Sequence, residues 1–361
     1  MTAAPRPVDV LVIGGGQAGL AAGYYLRRAK ADFVLLDAQD SAGGAWRYAW
    51  NSLRLFSPAQ YSSLPGRMMP IPPGGGYPSA AEVVTYLTDY ERRYDLPVLR
   101  PVTVHAVRRG DGHLLVETGH GTWQAKAVIS ATGTWWRPYI PYYPGLRDFG
   151  GEHLHTAGYR GPEPLRGKRV VIVGGGNSAA QLLAELTTLA EVTWVTQRPP
   201  RLLPDDIDGR ALFDLATRRH RATQAGEQAG EQAGEPTAGI ADLGDIVAVP
   251  PVREARDRGL LKAEPMFTRI TSRGVAWADG STLACDVILW CTGFRPALNH
   301  LAPLGLRGPD GLIPTRGTQA IGEPRLHLLG YGDWTGPASA TLIGAGRTAR
   351  QLVAEIVAQL Q

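Results

Sequence analysis

Short, unbroken apolar runs recur along this chain, each bounded by glycine, proline or charged residues. They are Val10–Ile13, Phe33–Leu36, Ala127–Ser130, Val170–Val173, Val192–Thr196, Asp286–Trp290 and Leu326–Leu329. Runs of this length without alternation predict strands covered on both faces, as in a parallel sheet. Helical periodicity lies between them, over Gln17–Arg28 (Leu20, Ala21, Tyr24 and Tyr25 inward), about Ser178–Leu189 and about Thr341–Leu360. Ser79 and Glu82 have capping-box spacing and open a helix to about Tyr94, with Val83, Leu87 and Tyr90 on one face. Val102–Val107 and Leu114–Thr118 predict a small antiparallel layer.

Two of the apolar runs feed directly into glycine-rich turns. Val10–Ile13 leads into Gly14-Gly15-Gly16-Gln17-Ala18-Gly19, and Val170–Val173 leads into Gly174-Gly175-Gly176-Asn177-Ser178-Ala179. One such turn is weak evidence, but two in strand–loop–helix context predict two dinucleotide cradles. In the first, Gly14 permits the tight turn, Gly16 lets backbone amides meet a pyrophosphate, and Gly19 allows close packing. The helix N-terminus adds its partial positive charge. Asp37 follows at the interval expected of a carboxylate that accepts ribose hydroxyls. The second cradle has Ala179 at the third glycine position, and its partner strand ends in Thr196-Gln197-Arg198 without an acid. An arginine there would pair with a 2′-phosphate, so NADPH is favoured, while Gln197 keeps NADH open. The expected fold is α/β, with two Rossmann-like dinucleotide-binding domains, the second inserted in the first. The first takes residues 1–165 and 291–361; the second takes 166–290. Thr132-Gly133 and Thr292-Gly293 mark the two crossings.

Composition narrows the class. Hydrophobic residues make up 44% and charged residues 19%, and the net charge of +4 is spread without a basic stripe, so no nucleic-acid partner is expected. The two cysteines, Cys285 and Cys291, are too far apart for a C-x-x-C dithiol. No apolar run is long enough to span a bilayer, and the first strand begins too early for a leader, so a cytoplasmic setting and no membrane partner are expected. A homodimer is compatible with the chain. The Ala-Gly-Glu-Gln repeat within residues 222–236 reads as a flexible surface insert. Substrate contacts are expected from residues 52–78 and 204–262.

Between the cradles runs Phe149-x-Gly151-x-x-x-His155-x-x-x-Tyr159. This resembles the fingerprint of flavin-containing monooxygenases; Baeyer–Villiger monooxygenases carry tryptophan at its last position. Gly43-Gly44-Ala45-Trp46, Trp290-Cys291-Thr292-Gly293-Phe294 and Gly332-Asp333 are similar to further elements of that family. Asn51–Pro58, Gly244–Val247, Val249–Val252 and Gly330–Trp334 resemble the short bacterial flavin monooxygenases, including those of arsenic-resistance operons.

The resemblance implies FAD on Gly14–Gly19 and NADPH on Gly174–Ala179, with Gly44, Ala45, Trp46 and Asp333 as further cofactor contacts. It also implies hydride transfer to FAD, then a C4a-(hydro)peroxyflavin formed with O2. That species would oxygenate a small-molecule soft nucleophile such as a thioether or amine, with ketones a further class. Phe56 stands where larger members place a flavin-proximal asparagine, which removes a hydrogen-bond donor there. His155 is expected to fix a hinge rather than act as a base. The alternatives are an NAD(P)H-dependent flavin reductase with another acceptor, and a regulatory redox flavoprotein.

Overall fold

Each cradle begins where a buried strand has no side chain left to alternate and a glycine turns the backbone into a helix. In the computed structural model, residues 4–205, 246–336 and 338–360 are described. The 222–236 repeat and the Gly244-Asp245 start of one family run lie outside them.

Two units emerge. The first comprises Met1–Arg47, Ser57–Arg137 and Pro296–Gln361; the second comprises Tyr48–Phe56 and Pro138–Arg295.

The first unit contains strands β1 (Arg6–Ile13), β2 (Phe33–Leu36), β3 (Val98–Leu99), β4 (Val104–Arg109), β5 (Leu114–Thr118) and β6 (Gly121–Ser130). Its sheet, in the order Thr315–Arg316, Gln319–Ala320, Leu326–Leu328, β6, β1, β2, β3, has a parallel centre. There Val10 to Ile13 sit between Phe33–Leu36 on one side and Ala127–Ser130 on the other. Burial on both faces explains the unbroken apolar runs. β4 and β5 form the antiparallel layer, and β6 is longer than its apolar tail implied because Gly121–Gln124 continue the ladder with β5. Helix α1 (Gln17–Arg28) and helix α2 (Ala80–Arg93) match their periodicities. Ser79 caps α2, with both limbs of the capping box formed. Tyr25, expected inward, is only half-buried.

In the second unit, β7 (Glu152–His155), β8 (Arg169–Val173), β9 (Glu191–Thr196), β10 (Ala263–Pro265) and β14 (Val287–Trp290) form a parallel sheet in the order β10-β9-β8-β14-β7. Helix α3 (Asn177–Leu186) follows β8, and α4 (Pro250–Asp257) lies in a stretch whose sequence showed no helical period. Three short strands, β11 (Arg269–Thr271), β12 (Gly274–Ala276) and β13 (Thr282–Ala284), form an antiparallel layer.

The unit boundaries differ from the expected 165 and 291. Residues up to 165 were expected in the first domain, yet β7 among them pairs with β14 from Glu152–Val287 to His155–Trp290. The backbone pairing of one strand therefore moves the boundary to Arg137–Pro138. The chain returns to the first unit at Pro296 and closes with α5 (Leu342–Leu360).

Candidate functional site

The first cradle is built from close backbone approaches. Gly14 has φ +110°, and a Cβ there would lie 2.5 Å from the Ala131 carbonyl oxygen. A Cβ on Gly19 would stand 1.9 Å from the Gly14 oxygen, so the first turn of α1 can lie on the loop only without a side chain. Gly16 differs, since its nearest neighbour would be the Cα of Gly44 at 3.9 Å. That leaves room beside the amides that open α1, the arrangement that accepts a phosphate.

The Gly43–Trp46 run folds over this loop. Gly44 adopts φ +55°, and a Cβ on it would come within 2.9 Å of the Gly16 Cα. The Trp46 indole donates to Gln17 Oε1 at 2.8 Å, while Ala45 is exposed. Gln17 also donates to the Ala340 carbonyl. The turn at Gly330 packs on Ala18, where an added Cβ would meet the Ala18 methyl at 2.6 Å. Asp333 is exposed and accepts the Ala338 amide at 3.1 Å. The structure thus gathers Gly14–Gly19, Gly44, Trp46 and the Gly330 turn at one end of β1.

Asp37 lies at the end of β2, against the loop: a Cβ on Gly15 would meet its Oδ2 at 2.6 Å. Its carboxylate is also engaged in a way the sequence did not announce. Arg100 Nε donates to Asp37 Oδ2 at 2.7 Å, and its terminal nitrogens hold Glu91 at 2.6 and 2.7 Å. All three side chains are largely buried, so the pair orients the carboxylate rather than decorating a surface.

Thr132 joins a buried chain that sequence reasoning missed. His300 Nε2 meets Ser130 Oγ at 3.0 Å, Ser130 meets the Tyr331 hydroxyl at 2.7 Å, and that hydroxyl meets Thr132 Oγ1 at 2.8 Å. Thr132 Oγ1 donates to the Ala297 carbonyl at 2.7 Å, and Ala297 donates its amide to Gly133. A serine ending a buried apolar strand was the available signal, because a hydroxyl there needs a partner. Burial pushes the His300 pKa down to about 4.

The second cradle repeats the geometry with other side chains. Gly174 has φ +131°, and a Cβ on it would lie 2.4 Å from the Cys291 carbonyl oxygen. Its own carbonyl accepts the Trp194 indole at 2.6 Å. Nothing lies within 4 Å of a Cβ built on Gly176, so this loop is open at the same place as the first. Asn177 Oδ1 accepts the Val247 amide at 2.8 Å, which turns that side chain toward the protein. Ser178 is half-buried, and Ala179 is fully buried in α3.

Beside this loop is a cleft of about 940 Å³, lined by Gly174, Gly175, Thr196, Gln197, Arg198 and Arg201 among others, with no acidic side chain among the described residues of its walls. Gln197 and Arg198 are exposed at its edge. Thr292 also lines it and donates to the Tyr139 carbonyl. Cys285 and Cys291 are free thiols, both pushed up by burial.

The fingerprint residues serve the architecture of this second unit. Phe149 packs into a core with Val171, Val173, Phe267 and Trp290. A Cβ on Gly151 would collide with the Phe149 ring at 2.5 Å and the Asp286 carbonyl oxygen at 2.4 Å. His155 donates from Nε2 to the Gly293 carbonyl at 2.9 Å and accepts the Ala157 amide on Nδ1 at 3.1 Å. Both ring nitrogens are engaged as a neutral imidazole, and burial lowers its pKa. Tyr159, fully buried, donates to Glu185 Oε2 at 3.0 Å, and Ser52 donates to Glu185 Oε1 at 2.8 Å. Arg160 holds the Tyr48 carbonyl at 2.8 Å. These bonds explain why residues 48–56, ending at half-buried Phe56, belong to the second unit although both flanking segments belong to the first.

Two glycine cradles, each between a parallel strand and a helix, define a dinucleotide-dependent oxidoreductase of two Rossmann-like units. The pattern of the family described as pyridine nucleotide-disulphide oxidoreductase matches residues 11–207. A CzcO-like oxidoreductase of Geobacillus kaustophilus is 30% identical over 97% of this chain and 98% of its own. The solved structure of a flavin-containing monooxygenase from Stenotrophomonas maltophilia is 49% identical with a TM-score of 0.89, covering 99% of this chain and 100% of that one. Rice indole-3-pyruvate monooxygenase YUCCA8 is 25% identical over 97% of this chain and 91% of its own.

The chain belongs to the pyridine nucleotide-disulphide oxidoreductase family and, within it, to the flavin monooxygenases. It is a flavin-dependent monooxygenase, and the cofactors of this family are FAD and NADPH. No described helix is long and apolar enough to cross a membrane.

Proposed function

We propose that FAD binds the first cradle and NADPH the second, and that the enzyme oxygenates soft nucleophiles such as thioethers or amines. The observation that carries the assignment is the contrast in charge at the two second-strand ends. Asp37 is buried against the first loop, which suits ribose hydroxyls and repels a 2′-phosphate. Arg198 and Arg201 line a cleft with no acid among its described residues at the second, which suits a 2′-phosphate. Both loops fit the cofactors: side chains are excluded at Gly14, Gly19 and Gly174, and space is free at Gly16 and Gly176.

The bound flavin supplies two-electron redox chemistry with the nicotinamide and with O2. This chain's own residues hold and orient. The amides at the start of α1 and α3 bind the diphosphates. Arg100 and Glu91 fix Asp37 for the ribose, and Arg198 pairs with the 2′-phosphate on the adenosine ribose of NADPH. Phe56 presents a phenyl ring where a hydrogen-bonding side chain would otherwise stand. His155 is committed through both nitrogens and offers no free base. Acceptors that attack oxygen with their own lone pair need no acid–base pair, and they are the ones this reading favours.

Rapid mixing of the NADPH-reduced holoenzyme with O2 tests the reading. A transient near-ultraviolet band, distinct from oxidised and reduced flavin and shortened by added thioether, is the expected result. Direct return to the oxidised spectrum with one equivalent of hydrogen peroxide, unaffected by thioether or amine, would overturn it.

A further inference from the structure

Between α1 and α5 of the first unit lies a groove of about 790 Å³ that neither cradle uses. Tyr25 and Arg28 of α1 form one wall, and Arg350, Val353 and Val357 of α5 form the other, over a floor at Pro65-Gly66. The floor is fixed in place. The Pro65 carbonyl accepts the Tyr90 hydroxyl at 2.6 Å, and Gly66, at φ +82°, leaves no room for a Cβ, which would meet the Tyr24 and Tyr94 hydroxyls at 2.6 Å. Gly346 brings α5 down on the same turn, with Pro65 Cδ 3.0 Å from a Cβ built on it.

The charges in this groove are unbalanced. Arg27 pairs with Asp95 at 3.2 Å, but neighbouring Arg28 only reaches the Tyr24 hydroxyl at 3.3 Å. Among the described residues neither Arg28 nor Arg350 has a carboxylate within ion-pair distance, and no acidic residue lines the groove. Both guanidinium groups act on the Tyr25 phenol: burial raises its pKa, while Arg350 and Arg28 oppose that rise. Two cations and a hydroxyl therefore converge at the Arg350 end of an apolar wall. From Arg350 to Val357 that wall runs about 10 Å at the helical rise per residue. A two-fold contact centred on this groove would set its arginines against those of the second copy with no acid among the described groove residues to pair with them, so a small carboxylate matches the charge better than a second copy.

We infer that this groove is a binding site for a free medium-chain aliphatic carboxylate. Its headgroup lies between Arg28 and Arg350, and its chain lies along Val353 and Val357. The inference is independent of the cofactor assignment, because none of its residues belongs to either cradle.

Calorimetric titration of the full-length, flavin-loaded protein with decanoate tests it, with decanol and acetate as single-feature controls. One saturable site for decanoate and none for either control is expected. The double substitution Arg28→Gln, Arg350→Gln should weaken binding by about tenfold or more, the loss typical of charge-assisted hydrogen bonds. Ala354→Trp, an exposed position in the groove wall, should abolish it. Both variants should keep the flavin content and NADPH oxidation rate of the parent protein. Absence of saturable decanoate binding would overturn the inference, as would equal affinity in the double variant. So would a dimer in sedimentation experiments that Ala354→Trp dissociates, since a second copy would then cover the groove.

Discussion

The two cradles share a backbone and differ in what surrounds it. At Gly19 a methyl group has no room, 1.9 Å from the Gly14 oxygen, whereas the second loop carries Ala179 at the matching position, fully buried. At the end of the next strand, the first cradle holds a carboxylate in a buried Arg100–Glu91 clamp, and the second opens onto a cleft edged by arginines. Under the proposed assignment, the turn that grips a diphosphate depends on space, and the choice of nucleotide depends on charge one strand away. The two properties can be altered separately.

Gly19→Ala should have the largest effect. The clash with the Gly14 oxygen should destabilise the protein by about 3 kcal/mol and leave it without flavin, read by thermal unfolding and visible absorbance. Gly16→Val should separate binding from folding, since only Gly44 approaches that position. The protein should fold, unfold near the parent temperature and purify colourless; a yellow product would contradict the placement of FAD.

Arg198→Ala should then raise KM for NADPH by about 10- to 100-fold and leave NADH nearly unchanged, the loss expected of a charge-assisted phosphate contact. Equal losses with both coenzymes would remove Arg198 from that role.

A fourth outcome concerns the buried histidines of the first unit. His300 and His327, both in the first unit, have pKa values pushed down to about 4 by burial. The unfolded chain takes up these protons below pH about 6.5, and the folded one resists until about 4, so stability falls as pH drops through that window. His300→Gln should flatten the slope by one proton, about 1.4 kcal/mol per pH unit, in acid titrations of unfolding free energy. An unchanged slope would show that His300 does not titrate on unfolding. The smallest effect is expected of Ala179→Gly, about 1 kcal/mol from helix propensity, with NADPH binding retained; loss of NADPH use would show that the Ala179 methyl is needed.

Much of the core was legible in the chain. β2, β5 and α1 fall where their apolar patterns placed them, because a strand buried on both faces leaves an unbroken apolar run, a strand buried on one face alternates, and a helix buries one stripe. β7 was not legible: Glu-His-Leu-His carries no buried-strand signature, and only its pairing with β14 makes it a strand. The fingerprint motif was visible as a spacing. That its phenylalanine and glycine fill one packing contact, and that Tyr159 and Glu185 hold residues 48–56, could not be seen there.

By itself the sequence determined the two cradles, their glycines, the charge at each second strand and the absence of a paired dithiol, since these depend on neighbours within a few residues. Tertiary structure alone decided which unit owns β7 and residues 48–56, how Asp37 is clamped, and that a basic groove opens beside α5. Each of those arises from residues far apart in the chain, brought together by sheet pairing and packing that no local pattern encodes.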